Sequence, residues 1–244
     1  LCLWVGPGPV SQGPERVSDR PAPKWLPSPN FGPRRGGLRP DLIVIHFTAM
    51  TSAEAALERL CDAEAEVSAH YLIGGNGTLW QLVEEEMRAW HAGAGSWQGR
   101  DDINSRSIGI ELDNTGAHPF AEPQMAALAG LLRDVMARWS IPATGVIGHS
   151  DMAPARKYDP GARFDWARLA GQGLAVWPET PSQPGDFARD AAQFGYPEAE
   201  EAEVLAAFRA RFRPGADGPI DDADRSVMAN LARRFGVDRR QHNA

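Results

Sequence analysis

At 244 residues the chain is long enough to bury one sizeable domain with a small unit beside it, and its 43% apolar residues suit a globular protein. Twenty-five Lys and Arg against 32 Asp and Glu leave a net charge of −7 with no basic patch, which sets nucleic acid aside as a partner. No run of about 18 apolar residues occurs, so no membrane-spanning helix is expected.

Residues 1–38 are rich in Pro, Gly, Ser and Arg and read as an extended arm without regular structure. Neither Cys2 in this arm nor Cys61 has a cysteine neighbour at metal-ligand spacing, and no disulfide between them is expected. The chain opens at Leu1 without a basic region followed by a long apolar stretch, so the N-terminus does not give the compartment.

The run Leu42-Ile43-Val44-Ile45-His46-Phe47-Thr48 is apolar and β-branched, the pattern of a strand buried on both faces. His46 stands near its C-terminal end, where α/β sheets place ligands. Thr51 with Glu54 forms a capping box for a helix through Leu57 and Leu60. Residues 68–73 and 78–83 read as a hairpin joined by Gly74-Gly75-Asn76-Gly77.

Residues 84–106 lack periodicity and carry Trp90-His91-Ala92-Gly93-Ala94-Gly95-Ser96-Trp97, the composition of a binding loop with exposed aromatics. Ser107-Ile108-Gly109-Ile110-Glu111-Leu112 is a strand whose apolar row is Ile108, Ile110 and Leu112, so Glu111 points to the other face. A helix opens at Pro123 and ends before Pro142, and Gly145–Gly148 is a short strand delivering His149.

The loop Gly148–Gly161 holds His149, Asp151, Lys157 and Asp159 between Pro154 and Pro160, too broken for a helix and too polar for a core. Composition then shifts to Gly, Gln, Pro, Ser and Thr between Gly171 and Asp186, a linker. Three amphipathic helices follow, carrying Phe187–Phe194, Val204–Phe212 and Val227–Phe235. Their core is marginal for about 50 residues, so they are expected to lean on the first domain.

A catalytic zinc site takes three N, O or S ligands and leaves one position open. With no cysteine pair, the donors must be histidine and carboxylate, and His46, His149 and Asp159 are the preferred set for one zinc ion. Spacing alone leaves His70, His91 or His118 open as the third ligand. Glu111, lifted off the apolar face, is the candidate general base; the bland alternative is an ion pair with Arg106. Lys157, two residues from Asp159, projects to the same side and is the candidate for holding negative charge on a carbonyl oxygen. Arg156 reads as an exposed residue or a clamp, and Asp151 as a cap of the turn.

Val44–Ala49, Ser68–Ile73, Trp90–Gly93, Ser107–Leu112 and the loop Gly148–Gly161, in that order, resemble the zinc-dependent N-acetylmuramoyl-L-alanine amidases related to phage lysozyme-type amidases and peptidoglycan recognition proteins. Phe194–Pro197 and Phe208–Pro214 resemble the small helical unit of the AmiD-like branch. The resemblance covers residues 25–178 and implies an α/β fold, a mixed central β-sheet flanked by helices with a small C-terminal three-helix domain. It divides the chain into the arm 1–38, a zinc amidase catalytic domain 39–178, a linker 179–186 and a peptidoglycan-binding-like helical domain 187–244.

By the same resemblance His46, His149 and Asp159 hold zinc while Glu111 and Lys157 are catalytic. His91 borders the substrate groove, which Trp90, Trp97 and Asn114 line, and His70 anchors strands. Arg100 is a candidate partner for stem-peptide carboxylates. The implied reaction is hydrolysis of the amide between N-acetylmuramic acid, or its anhydro form, and L-alanine of the peptidoglycan stem peptide. The expected partners are peptidoglycan or muropeptides, met by a monomer in the cell envelope, with the cytoplasm as the other compartment. The rival readings are a peptidoglycan-binding module without catalysis and a zinc peptidase cutting within the stem.

Overall fold

The computed structural model describes residues 22–179 and 183–237. In chain order its elements are β1 (Lys24–Trp25), β2 (Phe31–Pro33), β3 (Leu42–Phe47), α1 (Ala53–Cys61), β4 (Tyr71–Ile73), β5 (Leu79–Gln81), β6 (Met87–Ala89), α2 (Ile103–Arg106) and β7 (Ser107–Leu112). There follow α3 (Glu122–Trp139), β8 (Val146–Gly148), α4 (His149–Met152), α5 (Trp166–Gly171), α6 (Phe187–Phe194), α7 (Glu201–Phe212) and α8 (Asp222–Phe235).

Six strands form one sheet in the order β1-β5-β4-β7-β3-β8, parallel at every pairing except the β4–β5 hairpin. All six residues of β3 are buried, as a strand covered on both faces requires. Ile43 and Ile45 of β3 join Ile108, Ile110 and Leu112 of β7 against Leu128, Leu132 and Val135 of α3, which covers one face. On the other face β3 carries Leu42, Val44 and His46. In the parallel register His46 stands directly beside Glu111. Paired residues on neighbouring strands share a face, so both side chains leave the sheet on the same side, opposite α3.

The helices of the C-terminal unit close that face below the site. Phe187, Phe194, Phe208 and Leu231 share one apolar cluster with Leu42, Val44, Ile147 and Met152. Trp97 joins them edge-on to Phe194 and Tyr196 at 5.5 and 5.4 Å. Gly195 permits the approach: its φ is +141°, and a Cβ there would stand 3.0 Å from the Trp97 ring.

Several local expectations change. The described part of the arm, from residue 22, has regular structure after all: β1 adds in parallel to β5 and β2 pairs antiparallel with β6. An extended Pro-rich segment still offers backbone donors and acceptors, and the open edges of β5 and β6 recruit them. The cap of α1 is Ser52, whose Oγ accepts from the Ala55 N–H at 3.2 Å, rather than Thr51. The stretch 84–106 contains β6 and α2, and its Trp97 is buried. Cys61 is a free thiol, while Cys2 lies outside the described residues. No helix among the described residues is long and apolar enough to cross a membrane.

Candidate active site

The loop that follows β8 begins with one helical turn, α4, where an irregular segment was expected. Asp151 makes that turn possible: its Oδ2 accepts the Gly148 N–H at 2.8 Å. The loop then folds back on itself, the Ser150 N–H donating to the Asp159 carbonyl at 3.0 Å. A Cβ at Gly148 would stand 2.8 Å from Pro160, so this close return needs glycine there.

The return brings His149 and Asp159 up to His46. His46 Nδ1 lies 2.9 Å from His149 Nδ1 and 3.0 Å from Asp159 Oδ2, and His149 Nδ1 lies 3.1 Å from the same oxygen. Around a tetrahedral zinc with bonds of about 2.0–2.1 Å, ligand atoms stand roughly 3.3–3.4 Å apart. The observed triangle is slightly tighter and of the right chemistry, two imidazole nitrogens and a carboxylate oxygen, so these three residues fit a zinc ion. Among the described residues this is the cluster able to hold a metal.

Second contacts turn the rings. His149 Nε2 donates to the Ala92 carbonyl at 2.9 Å, which leaves Nδ1 free to ligate. Burial, with His149 next, lowers His46 to about 4 against the pull of Asp159, so the ring is neutral near pH 7 as a ligand must be.

Glu111 faces the same groove. Its Oε2 is buried with no hydrogen-bond partner. Burial first and Asp159 second push its carboxyl up to about 8, opposed by Lys157. The alternative ion pair with Arg106 is absent: that guanidinium holds Asp41 at 2.9 Å and the Trp97 carbonyl at 3.1 Å. Lys157, at the edge of the cluster, lines the groove with Glu111 and the three ligand residues. The groove encloses about 340 Å³, and Trp90, Arg59 and Tyr158 form its outer wall.

The other candidates separate. His91 lies under the cluster, its Nδ1 3.0 Å from His46 Nε2. His70 is buried among strands, accepting from the Gly109 N–H at 2.9 Å, and is pushed down to about 3 by burial, then by Arg34. His118 is exposed in a turn, away from the cluster.

Three residues expected at the groove sit elsewhere. Asn114 is turned into its own turn, Oδ1 accepting from the Gly116 N–H at 2.7 Å and Nδ2 donating to the His118 carbonyl at 3.3 Å. Trp97 packs on the helices, and Arg100 is spent on Asp41 at 2.5 Å. Arg156 is a clamp, its Nε donating to the Ala94 carbonyl at 2.8 Å.

A brace behind the loop escaped the sequence. Asp151 Oδ2 also accepts from Arg211 Nη1 at 2.5 Å, and Oδ1 accepts from the Tyr196 hydroxyl at 2.9 Å. Arg211 Nη2 donates to the Val146 carbonyl at 3.1 Å, and its guanidinium lies 4.2 Å from the Trp166 ring centre. The one sequence signal was an arginine beside Phe212 on a helix face already assigned to packing.

The profile of the N-acetylmuramoyl-L-alanine amidase family matches residues 36–162. N-acetylmuramoyl-L-alanine amidase AmiD of Escherichia coli K12 is 35% identical over 234 residues, 81% of this chain and 84% of the relative. 1,6-anhydro-N-acetylmuramyl-L-alanine amidase AmpD of Citrobacter freundii is 36% identical over 161 residues, 59% of this chain and 86% of its own. The structure of E. coli AmiD in complex with anhydro-N-acetylmuramic acid-L-Ala-D-γ-Glu-L-Lys superposes with a TM-score of 0.74 at 32% identity, covering 86% of this chain and 99% of that one.

Proposed function

The chain belongs to the N-acetylmuramoyl-L-alanine amidase family, and from that premise we propose that it hydrolyses the amide joining the lactyl group of N-acetylmuramic acid, or its anhydro form, to L-alanine of the stem peptide. His46, His149 and Asp159 hold one zinc ion. The observation that carries this reading is the convergence of those three ligand atoms within 3.1 Å beside the partnerless Glu111 oxygen.

A zinc ion in such a set supplies a Lewis acid that lowers the pKa of water and polarises a carbonyl. The chain's own groups do the rest. Glu111 takes the proton of the attacking water and delivers it to the L-alanine nitrogen as the C–N bond breaks, a task worth roughly 100- to 10,000-fold. To accept that proton it must be ionised. Lys157 already opposes the rise to about 8, and a cation held at the neighbouring cluster would draw the carboxyl down further. The Lys157 ammonium also balances the negative charge that gathers on the carbonyl oxygen in the transition state.

Trp90 and Arg59 on the groove wall face the incoming muropeptide. Hydrolysis is assigned to residues 39–178, with the helices beyond 187 supporting the loop. The bacterial cell envelope is the compartment we propose with this reading.

The test is incubation with a defined anhydro-muropeptide, with and without a chelator, and mass spectrometry of the products. The expected result is an intact stem peptide with a free L-alanine amine, lost on chelation and restored by zinc. Binding without cleavage after zinc is returned would overturn the assignment.

A further inference from the structure

His46 has two ring nitrogens, and Nδ1 is the one that meets His149 and Asp159. What fixes that choice is a chain of hydrogen bonds beneath the cluster. His46 Nε2 lies 3.0 Å from His91 Nδ1, and His91 Nε2 lies 3.0 Å from Ser107 Oγ. The direction of the chain is set at its far end. The Ser107 hydroxyl donates its one hydrogen to the Ile103 carbonyl at 2.6 Å, so toward His91 it only accepts. His91 Nε2 therefore carries a hydrogen, and in the neutral ring Nδ1 is the lone pair. That lone pair accepts from His46 Nε2, which leaves His46 Nδ1 bare and aimed at the cluster.

The place for His91 is built into the sheet. A Cβ on Gly109 would stand 2.4 Å from His91 Cγ and 2.6 Å from its Nδ1, so β7 omits a side chain where the ring lies. The backbone there is held as well: Asn104 Oδ1 accepts from the N–H groups of His91 and Ala92 at 3.1 and 2.8 Å.

We propose that His91, backed by Ser107, is a positioning residue that locks the tautomer and ring orientation of His46 for metal binding. The inference rests on the reading of His46 as a ligand. Together with the Ala92 carbonyl on His149 Nε2, it makes one short segment the keeper of both imidazoles.

The test compares the native chain with His46→Ala, His91→Phe, His91→Asn and Ser107→Ala. The readouts are zinc affinity by chelator competition and the visible spectrum of the cobalt-loaded protein. His91→Phe keeps the ring bulk and loses the acceptor, so the zinc Kd is expected to rise roughly 10- to 100-fold with a changed cobalt spectrum. His91→Asn puts an amide oxygen near the Nδ1 position and is expected to recover most of the loss. Ser107→Ala is expected to fall between.

Native protein that binds no zinc overturns the ligand reading and this inference with it. Native protein that binds zinc, with His46→Ala weakened and His91→Phe unchanged, overturns the inference alone. So does His91→Asn binding as weakly as His91→Phe. Should His91→Phe not fold, an unchanged zinc Kd in Ser107→Ala overturns it.

Discussion

The site is assembled from two halves of different construction. His46 and Glu111 sit on β3 and β7, adjacent strands in the middle of the sheet, and their relation is fixed by backbone pairing. His149, Lys157 and Asp159 sit on a loop that leaves β8, the edge strand, and their relation is fixed by bonds within the loop together with side chains from elsewhere. The loop half depends on Asp151, Arg211 and Tyr196, so the C-terminal helices hold it from behind. A pair of residues on paired strands needs little outside help, whereas a ligand on a loop needs a brace.

Removing a loop ligand tests the assembly most severely. Asp159→Ala or His149→Ala is expected to reduce amidase activity to background and to take bound zinc, measured by metal analysis, from one equivalent to none. On the sheet side Glu111→Gln is expected to cost roughly 100- to 10,000-fold in kcat while zinc stays bound, which separates base from ligand. Lys157→Met, back in the loop, is expected to cost roughly 100- to 1,000-fold in kcat with KM less affected, the size of one lost oxyanion donor.

The brace itself is tested by Arg211→Met. Removing one partner of a buried ion pair costs about 3–5 kcal/mol, here read by urea denaturation. If the brace serves the loop half, zinc affinity falls in the same variant while the strand-borne half keeps its register.

Proton linkage gives the sharpest comparison. In the metal-free protein the folded Glu111 carboxyl keeps its proton up to about 8, whereas its ordinary value is 4.5. Between those limits the folded state binds more protons than the unfolded one, so stability falls as pH rises through the window. It is full below 4.5 and lost above 8. Glu111→Gln is expected to remove this slope, matching the native protein near pH 4 and exceeding it above pH 8 in metal-free denaturation curves. Added zinc is expected to flatten the native slope by favouring the ionised carboxylate.

The strand half of this site is written locally in the chain. The apolar run 42–48 and the alternation 107–112 specify strands, and the alternation turns Glu111 off the apolar face before any tertiary contact is known. His149 and Asp159 stand out because Pro154 and Pro160 exclude a buried helix around them. Choosing among His46, His70, His91 and His118 needs the strand order, which spacing does not carry: His70 and His91 lie within 5.8 Å of each other yet outside the ligand triangle.

Asn114 and Trp97 mislead for a shared reason, since a polar or aromatic residue in a loop composes equally well into a turn or a contact. The arm's two strands and the Arg211 brace join residues 54 or more apart, as Phe31 with Ala89 and Asp151 with Arg211, and no periodicity spans that distance.

The pairing of His46 with Glu111 makes the sheet a gauge. The gap between them is the spacing of neighbouring strands, about 4.8 Å, a dimension of the peptide lattice rather than of any side-chain packing. Substitutions at Arg59, Trp90 or Tyr158 can thus alter the groove wall without changing the backbone spacing that holds His46 beside Glu111. The walls can vary side chain by side chain, while that spacing changes only with the sheet itself.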